Sequence, residues 1–330
     1  MRRFLVVVSL VVLLAAALLG ASLLLPATPP AETFVEIPSG MGSRQIASLL
    51  ESQKIIRSHY SFGLWRLLRR GRLQAGEYRF AGPASLLDVY DRLRRGDVYT
   101  HVVTIPEGFN LFDIAQAVQD AKLGSKDHFL AAAKKNVNLI ADLDPGAADL
   151  EGYLFPDTYR FQKLETPSQM LAAMVKRFRE AAAGAGLDTN YHRAVTLASL
   201  IEKETPQPAD RPLVASVFEN RLTKGMPLMT DPTVIYAAML ENRYRGTIYQ
   251  SDLQANSAYN TYRHAGLPPG PICSPGLASL QAALHPAKTD YLYFVADAQT
   301  SGHSRFSSTL AGHERNVAEY RKTLKAGPAH

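Results

Sequence analysis

Val35-Glu36-Ile37-Pro38-Ser39-Gly40 recurs as Val103-Thr104-Ile105-Pro106-Glu107-Gly108, 68 positions later (103 minus 35). The match continues on the same offset: Ile46 and Ala47 fall on Ile114 and Ala115, Leu50 on Val118, and Lys54 on Lys122. Each copy reads as a short strand, a Pro/Gly turn and an amphipathic helix, with Ile46, Leu49 and Leu50 at helical spacing. Two copies are too few for a solenoid. The pattern therefore predicts duplicated small α+β units, with Thr104 to Gly108 and its counterpart as structural turns.

Upstream of the first copy, Arg2 and Arg3 precede an uninterrupted apolar run from Phe4 to Leu25. At 1.5 Å rise per residue such a helix spans roughly 30 Å, the thickness of bilayer hydrocarbon. A cleaved signal has a core of about 7–15 residues and a small-residue cleavage site. This run is longer, and Leu24-Leu25-Pro26-Ala27-Thr28-Pro29-Pro30 offers no convincing site, so a retained single-pass anchor is expected. The two arginines place the N-terminal tip in the cytoplasm and the remainder across the membrane, in the periplasm of a bacterium. Pro26 to Ala31 is Pro-rich and reads as a stiff, extended linker.

Between the copies, Tyr60 to Arg72 is basic and carries Trp65, Leu67 and Leu68. Two readings stay open for it, a helix with a solvated basic face or a lipid contact. Gly76 to Phe80 reads as a strand, and Ser85 to Arg95 as a helix capped by Ser85. Downstream, Leu150 to Tyr159 is an aromatic turn, followed by helical patterns at 167–183, 191–203, 212–224, 232–241 and 275–284. Tyr291 to Ala296 reads as a strand with Arg305 to Ser307 as its hairpin partner, and a helix over 309–325 closes the chain. The expected fold class is α+β. It comprises a transmembrane helix (1–25), a linker (26–33), a small α+β module holding the repeat (34–149), and a mainly helical region with a small C-terminal sheet (150–330).

The net charge of +6 is scattered among acidic residues, which argues against a nucleic-acid partner. Cys273 is the single cysteine, so no intrachain disulfide and no multi-thiolate metal site can form. The chain has no phosphate-cradling Gly-rich loop, no His-Glu-x-x-His and no Gly-x-Ser-x-Gly. His303 and His313 lack obvious further ligands, so no metal is expected. What stands out is Thr196-Leu197-Ala198-Ser199-Leu200-Ile201-Glu202-Lys203-Glu204-Thr205-Pro206, an apolar helix ending in two glutamates. Val195, Ala198 and Glu202 share one face by their spacing, while Glu204 lies about 200° around from Glu202. Glu202 thus extends an apolar face, where burial raises a carboxyl pKa as a general acid requires. The alternative from periodicity is a helix ending in a solvated charged turn. Asp231-Pro232 reads as a helix start with Pro in the first turn.

The stretch Leu197 to Thr205 closely resembles the signature of the endolytic murein transglycosylases, a YceG-like family. Further matches follow in order: Glu151 to Tyr159, Val214 to Leu222, Thr230-Asp231-Pro232-Thr233-Val234-Ile235-Tyr236, Ala258 to Tyr262, Gly266 to Gly270, Ala283 to Ala287 and Tyr291 to Val295. The resemblance runs from anchor to end.

That resemblance implies a LysM-like module over 34–149, a YceG-like catalytic domain over 150–330, and a bacterial inner-membrane location. It implies cleavage of the bond between N-acetylmuramic acid and N-acetylglucosamine in nascent peptidoglycan strands, leaving 1,6-anhydro ends, without a cofactor. Peptidoglycan glycan is the implied partner, with peptidoglycan synthases beside it. Against this stand a non-catalytic wall-binding scaffold and a hydrolase using water. The essential acid/base is implied at the first Glu of Glu202-Lys203-Glu204-Thr205. Glu204 is then either a charge that keeps Glu202 protonated or a solvated helix-end residue. Tyr236, Asn260 and Tyr262 are candidates for lining a sugar groove, with packing or turn-capping as the alternative for each. Met229 stands where the resemblance implies Gln, which puts one sugar contact in doubt.

Overall fold

The computed structural model describes residues 1–69, 71–297, 300 and 302–326. Its class is α+β, with thirteen α-helices and three two-stranded sheets among the described residues. The chain divides into two compact units, Met1–Val102 with Arg160–Glu165, and Val103–Tyr159 with Thr166 onward.

In the first unit, helix α1 (Arg2–Leu24) buries none of its residues and is long and apolar enough to cross a membrane. Strand β1 (Thr33–Ile37) pairs antiparallel with β2 (Gly76–Phe80) in the register Thr33↔Phe80 to Ile37↔Gly76. Val35 and Ile37 point inward, as the two-residue period of a strand requires. Helices α2 (Ser43–Ser52), α3 (His59–Leu68) and α4 (Leu86–Arg95) complete the unit, and Ile46, Leu50, Phe62, Val89 and Leu93 join the strand residues in one core. Ser85 caps α4 as the sequence predicts. Its hydroxyl accepts from the Asp88 N–H, and the Asp88 carboxylate accepts from the Ser85 N–H.

The second copy of the repeat lies in the second unit from Val103 onward, yet it folds locally like the first. Strand β3 (Thr100–Thr104), which pairs with β4 (Thr158–Gln162), leads through Gly108 at φ +79° into α5 (Leu111–Asp120). Gly40 in the first copy has φ +86°, a left-handed backbone that glycine adopts without strain. Ile114, Ala115 and Val118 are buried like Ile46, Ala47 and Leu50. The correspondence extends past the helix ends. Lys54 and Lys122 both take a left-handed conformation, at φ 57° and 60°. The next N–H in each copy donates to the carbonyl five residues back, Ile55 to Leu50 and Leu123 to Val118. That is a Schellman stop, which satisfies carbonyls the helix would otherwise leave unpaired.

The rest of the second unit is α6 (Lys126–Lys135), a short 3-10 turn (Val137–Ile140), α7 (Pro167–Ala185), α8 (Tyr191–Glu204), α9 (Arg211–Thr223), α10 (Asp231–Leu240), α11 (Gln250–Leu253), α12 (Leu277–Leu284), the hairpin of β5 (Tyr293–Ala296) and β6 (Ser304–Ser307), and α13 (Leu310–Ala326). Helix α8 is central. It packs on α9, α10 and α12, and every residue from Ala194 to Ile201 is buried. A helix buried on all sides has no solvent stripe, so its apolar periodicity cannot point to a functional face. The sequence patterns located α7 to α10, α12, the final hairpin and α13 closely. They missed α6, and they placed a turn where β4 begins.

Gly152, in the Glu-Gly-Tyr-Leu-Phe-Pro turn, has φ +82°, and a Cβ there would lie 2.5 Å from the Pro271 Cβ. Backbone strain and a fixed ring neighbour act together at this position. Gly152→Ala is expected to destabilise the fold by about 3 kcal/mol, read as a lowered midpoint in urea unfolding.

Candidate active site

The two glutamates at the end of α8 occupy opposite environments. Glu202 is nearly sealed, with its side chain 5% exposed beside Arg211 at 6%. Its Oε1 accepts from the Arg211 Nη2 at 2.9 Å, and its Oε2 accepts from the Gly276 N–H at 2.9 Å. Glu107, from the turn of the second repeat copy, approaches the same guanidinium at 3.4 Å. A Cβ on Gly276 would overlap the Glu107 carboxylate, so glycine is what lets that side chain lie over the loop. Lys203 Nζ donates to the Gly108 carbonyl at 3.3 Å. Both carboxylate oxygens of Glu202 are thereby held in position. Its buried ion pair ties the end of α8 to the start of α9, the 106–109 turn and the loop before α12.

Glu204 instead lines an open cavity of about 440 Å³ together with Arg221, Met229, Asp231, Tyr262, Tyr293 and His313. Burial pushes its carboxyl up from 4.5 to about 7, the Asp231 charge adds to the rise, and the Thr230 hydroxyl and Arg221 offset part of it. Asp231 Oδ1 accepts from the Tyr262 hydroxyl at 2.6 Å, which fixes both beside the cavity. Burial, then the bond to Asp231, raises the Tyr262 phenol well above its ordinary range, so it stays a neutral donor. Arg221 crosses the wall from α9. Its Nε donates to the Leu292 carbonyl at 2.7 Å, its Nη1 to the Leu228 carbonyl at 2.8 Å, and its guanidinium lies 5.5 Å from the centre of the Tyr293 ring. His313 stacks on the other partner of that wall, its ring 5.3 Å from Tyr293. Burial lowers its pKa, so the ring is neutral near pH 7.

Of the residues singled out from sequence, the structure brings Glu204, Tyr262 and Met229 together at the cavity. Met229 adopts a left-handed backbone at φ 54° and is 50% exposed. Tyr236 and Asn260 lie elsewhere, inside the protein. Tyr236 is buried and donates to Glu151 Oε2 at 2.9 Å. Glu151 also accepts from the Leu111 N–H at 2.9 Å, and burial pushes its carboxyl up to about 8. The Asn260 amide is fully buried and donates to the carbonyls of Leu253 at 3.0 Å and Ala255 at 2.8 Å, closing its own loop. In this structure the two serve packing and turn closure. His303 pairs with Asp210 at 3.1 Å, and among the described residues no three His, Cys, Asp or Glu side chains cluster as metal ligands.

Sequence reasoning missed Arg211, Glu107 and Arg221, and weighed His313 only as a metal ligand. One signal was present. Glu107 stands where the first copy has Ser39, a charge inserted into an otherwise repeated turn. The turn at 104–108, read from sequence as structural alone, thus also contributes a carboxylate to the support of α8.

The end of α8 thus holds a buried glutamate–arginine pair and, two residues on, a second carboxyl pushed up to about 7 beside a cavity walled by aromatic rings and a guanidinium. The chain belongs to the YceG-like family, whose sequence profile matches residues 35–319. It is similar to an endolytic murein transglycosylase of Bacillus subtilis, at 36% identity over 92% of this chain and 89% of that protein. It is also similar to one from Streptococcus pneumoniae, at 32% identity over 87% of this chain and 58% of that longer protein. Among solved structures, a yceG-like protein from Listeria monocytogenes matches with a TM-score of 0.56 and 31% identity, over 86% of this chain and 98% of that one.

The two glutamates separate in a single comparison. Glu202→Gln leaves the buried Arg211 short of its partner, and is expected to lower stability by roughly 3 kcal/mol and, measured below the unfolding temperature, to lose at least about 10³-fold in turnover. Glu204→Gln is expected to keep the fold and most of the turnover. Urea unfolding alongside product release from purified peptidoglycan checks both.

Proposed function

We propose that this protein cuts peptidoglycan strands as an endolytic lytic transglycosylase in which Glu202 is the acid/base. The family and the names of relatives that match most of the chain support the activity. The observation that carries the assignment of the acid is the place of Glu202 as the first glutamate of Glu202-Lys203-Glu204-Thr205 within the family match, where Arg211 Nη2 and the Gly276 N–H hold both its oxygens in position.

Many glycosidases need two carboxyl groups, but a transglycosylase can work with one. Glu202, as the acid, gives a proton to the oxygen joining N-acetylmuramic acid to N-acetylglucosamine. The bond from that oxygen to C1 breaks, and the electron pair leaves on the oxygen. The substrate's own acetamido oxygen stabilises the positive charge at C1. The Glu202 carboxylate then takes the proton of the C6 hydroxyl as that oxygen bonds to C1 and closes the 1,6-anhydro ring. No water is consumed and Glu202 ends protonated. The cavity beside Glu204, walled by Arg221 and the rings of Tyr262 and Tyr293, suits the hydroxyls and apolar faces of a sugar.

The catalytic unit in this reading begins at Val103, earlier than the boundary at 150 expected from sequence, because Glu107 and Gly108 brace the end of α8. The first unit is a LysM-like, glycan-orienting module. Arg2 and Arg3 stay cytoplasmic, and the soluble part works in the periplasm at the inner membrane beside peptidoglycan synthases. Co-sedimentation of the Glu202→Gln protein with sacculi tests the glycan contact, and crosslinking in cells tests the synthases.

Mass spectrometry of digested peptidoglycan decides the chemistry. Anhydro ends are expected, reducing ends would mean a hydrolase, and intact strands a scaffold. Linkage makes a separate demand on Glu204. A carboxyl raised from 4.5 to about 7 stabilises the fold fully only below pH 4.5, and that contribution is lost as pH rises through 7. Glu204→Gln should therefore be more stable than the parent at pH 8, on the order of 1–3 kcal/mol, and show little advantage at pH 4.5. An advantage at pH 4.5 as large as that at pH 8 would remove the raised pKa.

A further inference from the structure

Helix α3 of the first unit carries two apolar faces. One is spent on the core, where Ser61 and Phe62 are buried and Trp65 packs alongside. The other has no partner in the unit. Tyr60, Leu64, Leu67 and Leu68 fall on one side by their helical spacing, and they are 76%, 43%, 73% and 69% exposed. Four large apolar side chains in one stripe are more than scattered surface residues.

The same helix is held at the outer end of the anchor. Ser22 Oγ donates to Ser61 Oγ at 2.5 Å, and Leu23 packs against the core that holds Phe62. Just past the helix end, Arg57 Nη2 donates to the Pro26 carbonyl at 2.9 Å. With α1 crossing the bilayer, Ser22 to Pro26 lie at its surface, and α3 lies at the depth of the lipid headgroups. Charge agrees with that depth. From Ser52 to Gly76 the chain has no Asp or Glu, but it has Lys54, Arg57, Arg66, Arg69, Arg70 and Arg72. A cavity of about 610 Å³ opens between α2 and α3, lined by Arg44, Ala47, Tyr60, Gly63, Arg66 and Leu67. Arg66 bonds only neutral oxygens, Ser43 Oγ at 3.3 Å and the Tyr90 hydroxyl at 3.4 Å, so its charge is uncompensated by any ion pair among the described residues.

We infer that α3 is an interfacial helix which binds an anionic phospholipid of the outer leaflet, with the lipid phosphate between Arg44 and Arg66 and the acyl chains against Leu64, Leu67 and Leu68. The inference rests on the reading of α1 as a retained anchor, and it adds a second attachment that holds the first unit against the surface. A basic helix with an apolar stripe gains from both lipid charge and apolar burial.

Trp65 is the only tryptophan, which makes single-tryptophan reporters possible. Full-length Trp65→Phe proteins carrying either Leu67→Trp or Leu14→Trp are reconstituted into phosphatidylcholine vesicles, with or without phosphatidylglycerol, containing acyl-brominated lipid. Emission from position 67 should be blue-shifted and quenched by the bromines, more strongly with phosphatidylglycerol. Arg44→Gln with Arg66→Gln should abolish the phosphatidylglycerol gain. Unquenched, water-like emission from 67 while 14 is quenched overturns the lipid site and leaves the anchor standing. Blue-shifted but unquenched emission from 67 means a protein covers the face, and also overturns it. Unquenched emission from 14 removes the anchor and the inference together.

Discussion

Glu202 and Arg211 face each other at 2.9 Å with both side chains almost wholly withdrawn from water. Each further hydrogen bond to such a pair offsets part of its desolvation cost. The Gly276 N–H supplies a donor to Glu202, and Glu107 supplies a second carboxylate to Arg211, whose Nε is buried without a partner among the described residues. Four stretches far apart in the chain are thereby drawn to one point: the 106–109 turn, the end of α8, the start of α9 and the loop ahead of α12. The position of Glu204 depends on that knot, since it lies two residues beyond Glu202, where α8 stops at Thr205 and Pro206.

One helix terminus thus presents two carboxyl groups in different settings. Glu202 is held at both oxygens by Arg211 and the Gly276 N–H. Glu204 points to a cavity where burial and the neighbouring Asp231 favour its protonated form. Environment, not residue type, separates the two. The groups around the cavity are fixed in place as well. Tyr262 is anchored to Asp231, and Arg221 is steadied by two backbone carbonyls, so each is oriented before any ligand arrives.

The first unit answers a different constraint, that of a small fold joined to a bilayer-length helix. Its core is closed by β1, β2 and three helices, and α3 serves that core with one face while keeping another apolar face outward. The same strand–turn–helix pattern that builds this unit also opens the second one. There its turn has gained Glu107, and a local structural device has become part of the support of the candidate site.

What the sequence by itself determined is local. The apolar run specified α1, since no other structure satisfies so long an apolar backbone in a membrane. The repeat specified two strand–turn–helix pieces down to the matching left-handed Lys54 and Lys122, because those features depend on neighbours within a few residues. The motifs at 197–205 singled out Glu202 by their resemblance to the family signature. What surrounds each glutamate belonged to the tertiary structure. Helix α8 is buried from Ala194 to Ile201, so its periodicity marks no single face, and the groups gathered around Glu202 come from positions 107, 211 and 276. The inward placement of Tyr236 and Asn260 was hidden for the same reason. Their partners, Glu151 for the first and a ring of carbonyls for the second, are set by how the chain closes on itself, and side-chain type alone does not record that.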